Sequence, residues 1–72
     1  MKTSVIHDFH EGKRSNAVPL VENDTARILQ GVYAGRVGKV VLVDTSKEIL
    51  QFLIDFGDGT DELVPLDNLT KV

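Results

Sequence analysis

The sequence predicts a single all-β domain, a small barrel or sandwich of about five short strands. Three features predict it. Residues 40–43 read Val-Val-Leu-Val, a run of mostly β-branched side chains suited to a buried strand. Residues 48–56 alternate: Leu50, Phe52, Ile54 and Phe56 fall on one face, Ile49, Gln51, Leu53 and Asp55 on the other. Glycine-rich turns flank both segments, which argues against one helix running through 40–54.

The elements follow in order. Residues 1–23 are polar, with apolar clusters at Val5, Ile6 and Phe9 and at Val18, Leu20 and Val21. Between them residues 11–16 form a polar turn. Two readings fit this N-terminal extension: a loose leader, or an extra hairpin with strands near 4–9 and 17–22. Partial order is the expectation, and an exposed Val5, Ile6 and Phe9 arm would allow a weak homodimer by exchange beside the monomer. Residues 24–72 hold the barrel. Residues 25–30 make a short strand with Ala26 and Ile28 on one face. Residues 31–38 carry three glycines and mark a tight loop with a bulge. A buried strand at 39–44 and a polar turn at 44–47 lead into the alternating strand at 48–56.

The Asp58-Gly59 step then signals a hairpin, with its returning strand at 60–64. Pro65 cannot donate to a ladder, so it ends that strand or sits at an edge. Residues 65–69 fit one 3₁₀ turn, with Leu66 and Leu69 capping the barrel mouth, and 69–72 form the last strand.

The function classes narrow by exclusion. The 72 residues include no cysteine, so neither disulfides nor thiolate metal sites support the fold. No apolar run reaches the ~18–20 residues of a membrane span, and no signal-peptide block opens the chain, so a cytoplasmic home without membrane contact is expected. The net charge is −3. Residues 24–43 are basic through Arg27, Arg36 and Lys39, whereas 44–67 hold seven carboxylates against Lys47 alone. A protein held mainly by phosphate contacts shows a dominant basic footprint, and this one does not.

Tyr33, Gly35, Gly38, Val40, Val43 and Asp44 fall in a pattern that resembles the KOW motif of ribosomal proteins and transcription elongation factors. Residues 54–69, with Asp55, Phe56, Gly57, Pro65, Asn68 and Leu69, look like the closing half of Tudor-like and other SH3-like barrels. Both resemblances imply an SH3-like barrel. They imply different functions: KOW modules touch RNA or proteins through the loops beside the motif, Tudor modules use an aromatic cage, and other small SH3-like subunits dock within photosynthetic electron-transfer complexes.

Two binding surfaces are candidates. Asp58, Asp61, Glu62 and Asp67 form an acidic set suited to a basic protein partner. Arg27, Tyr33, Arg36 and Lys39 form the alternative, an RNA- or DNA-facing patch in which arginine grips phosphate and tyrosine stacks on a base. Their acidic counterparts lack the register of a calcium loop, and no P-loop sequence supports nucleotide binding. With Phe52 and Phe56 on the core face, only Tyr33 and Phe9 are free for a cage, too few to hold a cation. His7, Asp8, His10 and Glu11 offer metal donors but fall short of four placed ligands, so no metal site and no cofactor are expected. Both histidines lie in the extension, where nothing sets a base against a nucleophile, so no catalytic residue is assigned. The expectation is a non-catalytic docking module with a protein partner, or, as the alternative, a KOW-type nucleic-acid module.

Overall fold

The computed structural model describes residues 2–72. Five antiparallel strands form one sheet: β1 (Thr25–Ile28), β2 (Val37–Asp44), β3 (Gln51–Asp55), β4 (Asp61–Pro65) and β5 (Leu69–Lys71). A helix, α1 (Lys2–Glu11), precedes them, and a 3₁₀ turn, η1 (Leu66–Asn68), joins β4 to β5. The strand order is β4-β3-β2-β1-β5. The two edge strands are therefore consecutive in the chain, linked by the three residues of η1. In a flat sheet of five strands the edges stand about 19 Å apart, further than so short a link can reach. The sheet must curl to bring them together. No ladder joins β4 to β5, so the curled sheet stays open along that seam.

The core fills the concave side. Ala26 and Ile28 of β1, Val40 and Val43 of β2, Phe52 and Ile54 of β3, Val64 of β4 and Leu69 of β5 are all buried. Strand β2 departs from the expected buried run. The β2–β3 register shifts between Val40 and Leu42, leaving Val41 as the extra residue of a β-bulge. The bulge resets the alternation, so Val40 and Val43 both point inward while Leu42 is 47% exposed. A second bulge closes the β1–β2 loop. Ile28 donates to the Arg36 carbonyl (2.9 Å) and accepts from the Gly35 amide (2.7 Å), so one residue faces two. Gly35 takes φ +87°, a conformation that side-chain-bearing residues avoid.

The extra hairpin does not form. Residues 2–11 are helical and 17–22 are an extended loop without strand pairing. Val5 and Phe9 stand four apart, one above the other on a helix face, and Phe9 is fully buried against Phe52 with ring centroids 6.0 Å apart. Phe9 is thus a core residue and not a free aromatic. The helix stops in a Schellman motif: the Lys13 amide donates to the Asp8 carbonyl (2.9 Å) and the Gly12 amide to that of Phe9 (3.3 Å). Gly12 supplies the positive φ of +76° that this ending requires. The following loop buries Val18, Leu20 and Val21. Asp24 organises it, accepting from the Val21 amide (2.9 Å) and from both terminal nitrogens of Arg14. Burial pushes the Asp24 carboxyl up, but the Arg14 and Val21 hydrogen bonds outweigh this and hold its pKa below the usual carboxylate range.

Candidate binding groove and the clamp beside it

The open seam of the sheet is the concave feature that stands out. A groove of about 240 Å³ runs between the end of β1 with its loop and the free edge of β4. Ile28, Val32, Tyr33, Leu63, Val64 and Pro65 give it an apolar lining, and Glu62 stands on its β4 wall. It continues into a more polar trough beside Gln30, Gly31, Asn68 and Asp67. Val32 is 96% exposed, an aliphatic side chain held out beside the groove with almost nothing covering it.

Asn68 fixes the end wall. Its side-chain carbonyl accepts from the Gln30 amide (2.9 Å) and its side-chain amide donates to the Gln30 carbonyl (3.0 Å). The Asn68 main-chain carbonyl also accepts from the Leu29 amide (3.0 Å). One residue of η1 thereby imitates a step of β-ladder and pins the start of the loop that carries Val32 and Tyr33.

The other end of that loop is held by a clamp. Tyr33 stacks on Phe56 with centroids 5.6 Å apart, and the Arg36 guanidinium lies 4.1 Å from the Phe56 centroid and 6.0 Å from that of Tyr33. Arg36 Nη2 donates to Asp58 Oδ2 at 3.1 Å. The Asp58 carboxyl also accepts from the Thr60 hydroxyl and the Thr60 amide. Hydrogen bonds from Thr60, then Arg36, hold its pKa down at about 2, so it is ionised at neutral pH. Phe56 is half-buried, and its outer ring face serves this clamp.

The sequence-derived sets are regrouped by this geometry. Asp58 of the acidic set and Arg36 of the basic set neutralise each other. Asp61 and Glu62 are neighbours on a strand and project to opposite faces: Asp61 pairs with Asp55 on the convex side, Glu62 with Ile54 on the concave side. Glu62 lines the groove and Asp67 its polar continuation. Arg27 and Lys39 are exposed on the convex face, diagonal neighbours through the Arg27–Val37 and Thr25–Lys39 pairs, and Tyr33 is not with them. Gln30 and Val32 complete the site without having been singled out from the sequence. Asn68 was not read there as a site residue, and Phe56, read as a core-face residue, also stacks in the clamp. Only the Asn-Leu at the chain's closing turn gave any sign of Asn68.

On α1, His10 Nδ1 lies 3.1 Å from Glu22, and His7 lies 3.9 Å from Glu11. Neither histidine lines the groove. Among the described residues no cluster of three or more His, Cys, Asp or Glu is placed to hold a metal ion, and no helix is long and apolar enough to cross a membrane. Searches against family models, curated proteins and solved structures return no match to this chain. The residues that carry the KOW likeness do have plain structural work: Gly35 makes a bulge, Gly38 makes a close strand contact and Tyr33 makes the clamp.

Proposed function

We propose that the protein is a non-catalytic docking module that takes an extended, apolar and basic segment of a protein partner into the groove between the β1–β2 loop and β4. The observation that carries this reading is the groove itself: an apolar lining with Glu62 on one wall and Asp67 along its continuation. Carboxylates at a groove rim select cationic partners and speed their encounter, while the apolar floor supplies affinity. The edge of β4 adds main-chain groups. Leu66 donates to Leu50 and Phe56 donates to Thr60, so the hydrogen-bonded pairs of the β3–β4 ladder are the even-numbered ones. Asp61 and Leu63 therefore turn their main-chain groups away from β3, towards the seam, where an extended segment can meet them.

The alternative, a KOW-type contact with RNA or DNA, is supported by Arg27 and Lys39, which stand together and exposed on the convex face. One experiment separates the two. In a backbone-amide NMR titration, extended Leu/Lys peptides are expected to shift residues 28–33 and 62–68, and matched Leu/Glu peptides are not. Glu62→Lys with Asp67→Lys is expected to abolish the response. Shifts from oligonucleotides confined to 27–39 and lost steeply with salt would instead establish the nucleic-acid alternative.

A further inference from the structure

On the convex face of the sheet, Leu42, Leu53 and Leu63 stand in a single cross-strand row through the pairs Leu42–Leu53 and Leu53–Leu63. Leu42 is 47% exposed, Leu63 is 40% exposed, and Leu53 between them is half-buried. The helix packs on the concave core through Phe9 and leaves this row uncovered. Along the strands the next row is charged: Lys39 on β2, Asp55 on β3 and Asp61 on β4, again in register. The row is thus cationic at one end and anionic at the other, and among the described residues neither Lys39 nor Asp61 has an ion pair.

This arrangement is self-complementary. We infer that the convex face of β2, β3 and β4 is the interface of a twofold homodimer. Consider an axis parallel to β3 and passing over Leu53, with the two sheets face to face at the usual ~10 Å spacing. The rotation keeps position along the strands and exchanges β2 with β4. Leu42 then meets Leu63 of the second copy, Leu53 meets its own counterpart, and Lys39 meets Asp61 of the second copy, twice over. The two Asp55 side chains approach near the axis, each with a Lys39 beside it in its own sheet. Such an interface is isologous, as most homodimers are. A rotation axis perpendicular to the sheet builds no face-to-face pair. An axis across the strands over Leu53 sets each leucine on its own counterpart but keeps Lys39 over β2 and Asp61 over β4, so the two do not meet.

The patch spans three strands by five residues, about 15 by 17 Å, well below the ~800 Å² per partner of a standard stable interface. The dimer is therefore weak and forms in the upper micromolar range. Sedimentation velocity of the full chain from about 10 μM to 1 mM reads it directly, the low end being monomer and the high end dimer. Leu53→Lys, which sets two cations together on the axis, is expected to raise the dissociation constant at least tenfold while the circular dichroism spectrum is kept. The charge exchange tests the geometry without touching the leucines. Lys39→Asp alone and Asp61→Lys alone should each weaken the dimer at least tenfold, and mixing the two variants should restore it, because a heterodimer recovers both ion pairs. A chain that stays monomeric at 1 mM overturns the inference. So does a dimer indifferent to Leu53→Lys, or a mixture of the two charge variants that fails to associate.

Discussion

Phe9→Ala is the substitution that most directly tests whether α1 belongs to the domain. Phe9 is fully buried, touches Phe52 in the centre of the core and lies beside Val18 and Val21 in the same apolar cluster. Its main-chain carbonyl accepts from Gly12 and from Glu22 (3.1 Å), so its position also sets how the 12–24 loop returns to the sheet. Truncating a buried phenylalanine to alanine removes the transfer free energy of the ring and leaves a cavity, together about 3–5 kcal/mol. A chain of 72 residues has a total stability of roughly 4–11 kcal/mol, so the loss is between about a quarter of it and all of it. In urea unfolding, with a slope of about 1–1.5 kcal/mol/M for a domain this small, the midpoint should fall by about 2 M or more. Ile6, 41% exposed on the same helix, provides the control: Ile6→Ala should cost under about 0.5 kcal/mol. If Phe9→Ala moves the midpoint by less than about 0.5 M, or by no more than Ile6→Ala, the helix is not docked on the sheet and the burial argument fails.

Three further outcomes follow from the geometry. Gly38→Ala would place a Cβ 2.6 Å from Ile54 Cγ2 and 2.7 Å from the Asp55 carbonyl oxygen, and since the carbonyl belongs to a ladder it cannot give way. A loss of about 1–3 kcal/mol is expected, read as a fall in melting temperature of more than about 5 °C. Asn68→Ala removes both side-chain hydrogen bonds to Gln30, costing about 1–2 kcal/mol locally, and hydrogen exchange at the Gln30 amide should accelerate about tenfold or more while Ile54 is unchanged. Acid should weaken the fold in a defined window. The folded pKa of Asp58, about 2, lies below the unfolded value of about 3.9, so its contribution is complete above pH about 4 and disappears as pH falls towards 2. Asp24 is shifted in the same direction and adds to this loss. Asp58→Asn should flatten the acid limb of a stability-against-pH curve, and an unchanged limb would show that the clamp does not couple to folding.

The strands were legible because their signals are local. The alternation of Leu50, Phe52, Ile54 and Phe56, the Asp58-Gly59 turn and the Pro65 stop each state their geometry within a few residues, and β3, the turn and β4 form there. The helix was hidden because Val5, Ile6 and Phe9 satisfy a strand and a helix about equally. The discriminating signal was Gly12, read as a turn residue where it is the left-handed ending of a helix. The groove was illegible for a different reason. It is made by residues 30 and 68 meeting across the sheet, and no local pattern announces a pairing at that distance. Grouping charges by sequence likewise merged Asp61 with Glu62, which the pleat sends to opposite faces.

The bulge at Val41 connects the core to the surface proposals. Without it, strict alternation from Val40 would bury Leu42 and turn Val43 to solvent, and the pairing with β3 would still look apolar on both sides. The inserted residue instead lets Val40 and Val43 both close the core, and it puts Leu42 outside, level with Leu53 and Leu63. Cross-strand contacts among the three leucines contribute to the monomer, and covering the row from outside would bury the 47% of Leu42 and 40% of Leu63 that the monomer leaves exposed. The groove and the convex row share β4: Glu62 and Val64 face the concave side and Asp61 and Leu63 the convex side, while Leu63 also lines the groove. One short edge strand thus contributes to both surfaces, with Leu63 common to them.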